Sequence, residues 1–299
     1  MDGFINLLKP PGMSSNDAVG FARRLLPRGT RVGHGGTLDP DAAGVLPLCV
    51  GRAARLFDYI IDKKKTYIAE LRLGVETDTQ DAGGRILSRR DAAGVSEADV
   101  RAVLPRFTGE IDQVPPAYSA IKRDGKRMYD LARRGEAVEL APRRVTVYGM
   151  EYLGRTGGER HMLRISCGKG VYIRTLCHDI GRALGVGGHM AFLLRSEAGS
   201  FAIEESASLE ELKAAADEGG LERLLLPMDA PLGAFPAVRL AERFEKPVVN
   251  GAPILPQWHG QRLSDGEIAR IYLEDQFAGM AQSDGEGTLR FRAMLMERN

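Results

Sequence analysis

Asp39 closes a glycine-dense stretch, Gly33-His34-Gly35-Gly36-Thr37-Leu38-Asp39-Pro40, and an apolar run, Ala43-Gly44-Val45-Leu46-Pro47, follows it closely. Glycine permits backbone turns and close approaches that a Cβ forbids. Pro40 fixes its own φ and pushes Asp39 toward an extended conformation. A carboxylate held this way can serve as a nucleophile or a base. It can equally be a turn aspartate that caps the following segment, a common use of Asp.

Three further segments bear on that choice: Lys65-Thr66-Tyr67, Gly170-Val171-Tyr172-Ile173-Arg174-Thr175-Leu176 and Phe192-Leu193-Leu194-Arg195. They offer a phenol, a guanidinium and an apolar wall. With Leu7-Leu8-Lys9-Pro10-Pro11-Gly12-Met13-Ser14-Ser15 near the start, their order and separations resemble the TruB family, the tRNA pseudouridine-55 synthases. The resemblance runs from about Phe4 to about Asp229.

The resemblance implies a reaction. The C1′–N1 bond of a uridine is broken, and the base is turned and rejoined through C5. No redox change or energy input is needed, so no cofactor is expected. Asp39 matches the catalytic aspartate, which could attack C1′, assist elimination to a glycal, or add to C6. Each route starts from the carboxylate. Arg174 matches its partner, and a cation within about 4–6 Å favours the charged carboxylate. Asp41, two residues on, would act the other way if it came close. Tyr67 matches the active-site tyrosine, with a ring to stack on the base and a hydroxyl to take the C5 proton. Leu194 matches an apolar residue flanking the base, and Tyr172 joins it as a substrate contact. His34 resembles the histidine that fills the gap left by a flipped nucleotide. Lys9 and Pro10 match residues that support the catalytic loop from below.

The charge distribution fits an RNA partner. Residues 1–203 hold 31 Lys+Arg against 23 Asp+Glu, whereas residues 204–299 hold 10 against 17. A polyanion is therefore expected on the first two thirds. Residues 118–144 carry 8 basic and 4 acidic side chains, and align with a family insertion that closes on the RNA. Arg123, Lys126, Arg127, Arg143 and Arg144 there, and Lys65 beside Tyr67, are phosphate candidates. The expected partner is the tRNA T stem-loop, whose target base must be flipped out.

Other classes are disfavoured. Cys49, Cys167 and Cys177 show no CxxC spacing, and the five histidines show no metal-ligand spacing with them, so no metal is expected. There is no P-loop or dinucleotide-binding fingerprint. No apolar run is long enough to span a bilayer and no signal peptide is evident. The three cysteines fit a reducing cytoplasm, and a cytoplasmic monomer without an obligate protein partner is expected. Three alternatives stand beside the tRNA enzyme: a guide-RNA-dependent relative, a non-catalytic RNA chaperone using the same cleft, and a carboxylate glycosidase. The last needs a paired acid and base, and Asp39 has no second carboxylate in a comparable motif.

The elements that must position these residues read as follows. Phe4–Leu8 is a strand. Asn16 and Asp17 cap a helix over about 17–26. In the strand 66–74, Tyr67, Ala69, Leu71 and Leu73 share one face. Ser96-Glu97-Ala98-Asp99 and Ser208-Leu209-Glu210-Glu211 open capped helices. Residues 144–153 and 160–167 pair as a hairpin, and Tyr172–Leu184 is a helix stopped by Gly185. Strands and helices mix without βαβ alternation, which predicts an α+β fold. The family resemblance implies a mixed, largely antiparallel sheet with flanking helices. A catalytic domain over 1–230, a proline-rich linker over Pro227–Pro236 and a small β domain over 237–299 are expected. In the family that last position holds a PUA-like RNA-binding module.

Overall fold

The computed structural model describes residues 1–61, 63–116 and 141–296, with the backbone of Lys122–Arg123 and Lys126–Arg127. In chain order the strands are β1 (Gly3–Lys9), β2 (Val32–His34), β3 (Ala43–Val50), β4 (Lys65–Leu73), β5 (Val75–Thr77), β6 (Ile86–Arg89) and β7 (Gly109–Gln113). They continue as β8 (Lys122–Arg123), β9 (Lys126–Arg127), β10 (Arg143–Gly157), β11 (Arg160–Cys167), β12 (Gly188–Ala198) and β13 (Phe201–Ala202). The last four are β14 (Ala237–Leu240), β15 (Ile268–Leu273), β16 (Gln276–Ser283) and β17 (Leu289–Met294).

The main sheet runs β1-β3-β12-β4-β11-β10-β7, with β2 on β3 and β13 on β12. Its pairings are antiparallel except β3 with β12, which are parallel and matched only at Leu194↔Ala43 and Arg195↔Gly44. The sheet is mixed and largely antiparallel, as expected. Alternation in β4 decides its faces: Tyr67, Ala69, Leu71 and Leu73 are buried, while Ile68, Glu70 and Arg72 are partly exposed. The buried face packs against the helices Ser15–Leu25, Glu97–Val103, Ile173–Ala183 and Leu209–Asp217 through Leu46, Leu71, Leu163, Val100, Leu176 and Leu212.

Local signals placed most helix ends. Ser96 and Ser208 cap their helices with Asp99 and Glu211 reaching back, and Gly185 follows the helix Ile173–Ala183 at φ 82°. The first helix differs from the reading: Ser14 is its cap, and Asp17 is the acidic partner three residues on. The hairpin of β10 and β11 is longer than expected, with its turn narrowed to Gly158 and Glu159.

The C-terminal region forms a second sheet, β14-β15-β16-β17. β14 was not anticipated; it pairs in parallel with β15. The Pro227–Pro236 stretch is packed rather than a free linker. Leu232 is buried in one cluster with Phe4 and Val45 of the main sheet and Met280 of the second, and Phe235 meets Tyr59 edge-on. No helix among the described residues is long and apolar enough to cross a membrane.

Candidate active site

The parallel seam between β3 and β12 creates the site. Gly44 has φ +114°, and a Cβ there would lie 2.2 Å from the Arg195 carbonyl oxygen, so the close approach of the two strands requires glycine. The loop Gly35–Ala42 lies across this seam. Lys9 supports it from β1: its side chain is fully buried and its ammonium donates to the carbonyls of Pro10 (2.8 Å), Met13 (2.6 Å) and Pro40 (3.0 Å). Burial pulls the Lys9 ammonium down to about 8, against the opposing pull of Asp41 and Asp39. Ser15 ties the same loop to the first helix, accepting from the Leu38 N–H and donating to the Leu38 carbonyl.

Asp39 thus projects from a braced loop into a cavity of about 290 Å³, at the small end of ligand pockets. Tyr67, Tyr172, Arg174, Leu193 and Arg195 share the lining. Arg174, on the first turn of the helix Ile173–Ala183, donates to Asp39 Oδ1 at 3.3 Å. The helix start is fixed by Gln113, whose amide exchanges two hydrogen bonds with the Tyr172 backbone. Asp39, Arg174 and Tyr67, far apart in sequence, thus line one cavity.

The sequence reading missed a second partner of the guanidinium. Arg174 also donates to Asp81 Oδ2 at 3.4 Å, and Asp81 is itself held by Thr79 and the Gly83 N–H. One arginine therefore bridges two carboxylates. The Asp39 carboxyl is raised above the ordinary aspartate value: burial is the main cause, Arg174 opposes it, and Asp81 and then Asp41 add to it. Arg174 does favour the charged carboxylate, and desolvation outweighs it. The Asp39 side chain retains 39% exposure, so substrate can reach it.

Arg195 is the other residue that sequence reasoning passed over, although its motif was quoted. It is fully buried and donates to the carbonyls of Val45 (2.7 Å), Gly36 (3.0 Å) and Thr37 (3.4 Å). Gly36 adopts φ +115°, a backbone conformation that suits glycine, to present its carbonyl to Arg195. Tyr67 is buried, and its phenol is raised by that burial and lowered by Arg195.

The remaining expectations divide. Leu194 does not line the cavity; Leu193 does. Neighbouring strand residues face opposite ways, so a one-residue shift changes the face. Tyr172 lines the cavity, with the Arg174 guanidinium 5.9 Å from its ring. Lys65 also lines it but is buried, its ammonium donating to the Ile61 and Lys63 carbonyls, which makes it part of the wall rather than a surface phosphate contact. His34 is half-buried on β2, with its basicity lowered by burial and by Arg195, and is not part of the cavity lining. Arg143 and Arg144 are exposed at the start of β10, and Arg144 lies 3.6 Å from Asp112. The side chains of Arg123, Lys126 and Arg127 lie outside the described residues; their backbone forms the small hairpin β8–β9. No group of residues that could hold a metal occurs among the described residues.

Two family models divide the chain at this site. The TruB family pseudouridylate synthase N-terminal domain matches residues 23–173, and the tRNA pseudouridylate synthase B C-terminal domain matches residues 174–233. The chain belongs to the TruB family. Relatives named tRNA pseudouridine synthase B include one from Pelotomaculum thermopropionicum, 45% identical over 96% of this chain and 92% of its own length. Another, from Alkaliphilus oremlandii, is 43% identical over 93% of this chain and 92% of its own length. Among solved structures, an H/ACA RNP bound to a substrate RNA containing 2′-deoxyuridine matches with a TM-score of 0.76 and 26% identity, over 99% of this chain and 86% of that one. A Cbf5-Nop10-Gar1 complex matches with a TM-score of 0.74 and 27% identity, over 99% and 84%.

Proposed function

We propose that this TruB-family enzyme isomerises uridine to pseudouridine in tRNA at position 55 of the T loop. The observation that carries the chemistry is the Asp39 carboxylate, held 3.3 Å from the Arg174 guanidinium in the same cavity as Tyr67. The target uridine leaves its stack and enters this cavity, at a cost of a few kcal/mol that contacts to the RNA backbone offset. Its base lies against Tyr67 and Leu193, and its C1′ faces Asp39. Attack at C1′ and assistance of elimination to a glycal both begin with ionised Asp39. Arg174 supports that ionised form. After the base has turned and C5 has joined C1′, the Tyr67 oxygen takes the C5 proton.

The RNA lies over the basic face. Arg143 and Arg144, with Arg123, Lys126 and Arg127, contact phosphates, and His34 fills the stack that the flipped nucleotide leaves. The catalytic domain spans 1–230, and the sheet over 237–299 is a PUA-like RNA-binding module. The enzyme works in the cytoplasm as a monomer, without guide RNA, cofactor or obligate protein partner.

The test is incubation of the protein with an unmodified tRNA transcript, followed by mapping of pseudouridine. One new pseudouridine at position 55 is expected. Modification at another uridine would overturn the site, and none at any position from folded protein would overturn the activity.

A further inference from the structure

Arg195 sits directly across from Tyr67 in the pairing of β12 with β4. Residues opposed in this way bring their side chains within about 4.5–5.5 Å at Cβ. Arg195 is also fully buried, and taking a guanidinium out of water costs several kcal/mol unless it is well paired. Its contacts at Val45, Gly36 and Thr37 are all to neutral carbonyls. Arg174 differs, since it holds two carboxylates in the same site. A buried cation surrounded by dipoles, with a phenol opposite, is arranged to receive a negative charge from that phenol.

We propose that Arg195 is a positioning residue of the reaction: it fixes the Tyr67 oxygen relative to the loop bearing Asp39 and balances the charge on that oxygen. The proposal rests on the reading of Tyr67 as the group that takes the C5 proton.

The electron count shows what Arg195 must do. A neutral phenol cannot accept a proton, so Tyr67 releases its own to solvent and enters the step as phenolate. When C5 has joined C1′, the C5–H bond breaks and the proton goes to the Tyr67 oxygen. The C5–H electron pair becomes the C5=C6 bond, the C6=N1 π pair moves to N1, and N1 takes a proton from water. The phenolate must therefore exist inside the protein. Burial opposes it, and so does ionised Asp39 in the loop. From β11 the facing group is Cys167, whose thiol is pushed up to about 12 and stays neutral. On β4 itself Lys65 points to the Ile61 and Lys63 carbonyls. Arg195 is the cation that acts against burial at Tyr67. Its bonds to Gly36 and Thr37 place the same guanidinium two to three residues before Asp39, so one side chain registers both reacting groups.

The ionisation of Tyr67 can be read directly. Protein labelled with carbon-13 at the tyrosine Cζ gives a titrating signal, assigned by its loss in Tyr67→Phe. In Arg195→Met the Tyr67 pKa should rise by about one unit or more, the size of effect an opposite charge exerts at this range. Single-turnover rates at saturating enzyme should then fall about tenfold per unit near neutral pH and recover as pH rises. Arg195→Lys keeps the charge and loses the fork, so its Tyr67 pKa should stay near the parent value while its rate falls equally at all pH values. This variant decides the matter if Arg195→Met does not fold. A Tyr67 pKa unchanged in Arg195→Met, or raised by about one unit or more in Arg195→Lys, would overturn the proposal and leave Arg195 as a brace alone. Parental turnover by Tyr67→Phe would instead remove the reading of Tyr67 as base.

Discussion

The main sheet and the C-terminal sheet are both built from strands over aliphatic cores, but they differ in what they bury. The main sheet and its loops enclose Lys9, Lys65, Arg174 and Arg195. Among the described residues of the C-terminal sheet, the buried polar side chain is Ser283. Burying a charge costs several kcal/mol unless its partners compensate, so packing alone does not favour it. Each of the four cations holds a wall, a loop or a carboxylate of one small cavity. The second sheet is organised as a hydrophobic core of ordinary kind, through Val238, Ile271, Ala281 and Leu289. The contrast locates the chemistry: groups that are expensive to bury gather where geometry has to be held.

Three variants would break or sharpen this contrast. The largest effect is expected of Asp39→Asn, which should abolish pseudouridine formation while tRNA binding persists, because an amide is neither nucleophile nor anionic base. Its stability should move the other way. The folded Asp39 carboxyl is raised above the unfolded value of 3.8, so its contribution to stability is full below that value and is lost as pH rises through the folded one. The asparagine variant has no charge to bury and should melt at or above the parent temperature at pH 7. A lower Tm would show that the pair with Arg174 is net stabilising.

Asp81→Asn should have an intermediate effect. It removes a like charge from the neighbourhood of Asp39 and frees Arg174 from its second partner. The acid limb of the single-turnover pH profile should move to lower pH, because Asp81 raises the Asp39 carboxyl. The rate at pH 7 should fall about 10-fold, the loss of one charged hydrogen bond that positions the arginine. An acid limb that stays in place would show that Asp81 does not couple to Asp39. The smallest effect on rate is expected of Ile271→Ala. Ile271 is fully buried in the core of the C-terminal sheet, and the change should cost about 2–5 kcal/mol of stability in denaturant unfolding. Single-turnover rates of the folded variant should stay within about twofold of the parent, since the cavity is untouched. A tenfold fall would mean that the second sheet helps to shape the site, and the contrast between the two would dissolve.

What was legible in the sequence is what depends on near neighbours. Ser96 with Asp99, and Ser208 with Glu211, are three-residue signals, and both caps formed. Alternation in β4 placed Tyr67 on the buried face. Asp81 was not legible because its partner Arg174 lies 93 residues away and only the fold brings them together. Leu193 stands in the cavity where the motif match pointed to Leu194, because a motif does not say which of two neighbouring strand residues faces the site. β14 was hidden because its four residues pair in parallel with a strand some thirty positions later. The net direction of the Asp39 shift was not legible, because motif matching shows the arginine and not the desolvation that outweighs it.

The two-residue seam between β3 and β12 also bears on how the chain acquires its activity. Arg195 bonds to Val45 across a separation of 150 residues, whereas β1 with β3 and β10 with β11 join through far shorter loops. Contacts between distant segments are slow to form, because chain entropy is lost before the contact returns anything. The β1–β3 and β10–β11 pairs can therefore form while the seam, and the similarly distant pairings of β4 with β11 and β12, are still open. The cavity exists only after the seam closes. Recovery of turnover during refolding should accordingly lag behind recovery of β-sheet circular dichroism, making catalytic competence the last property the folding chain gains.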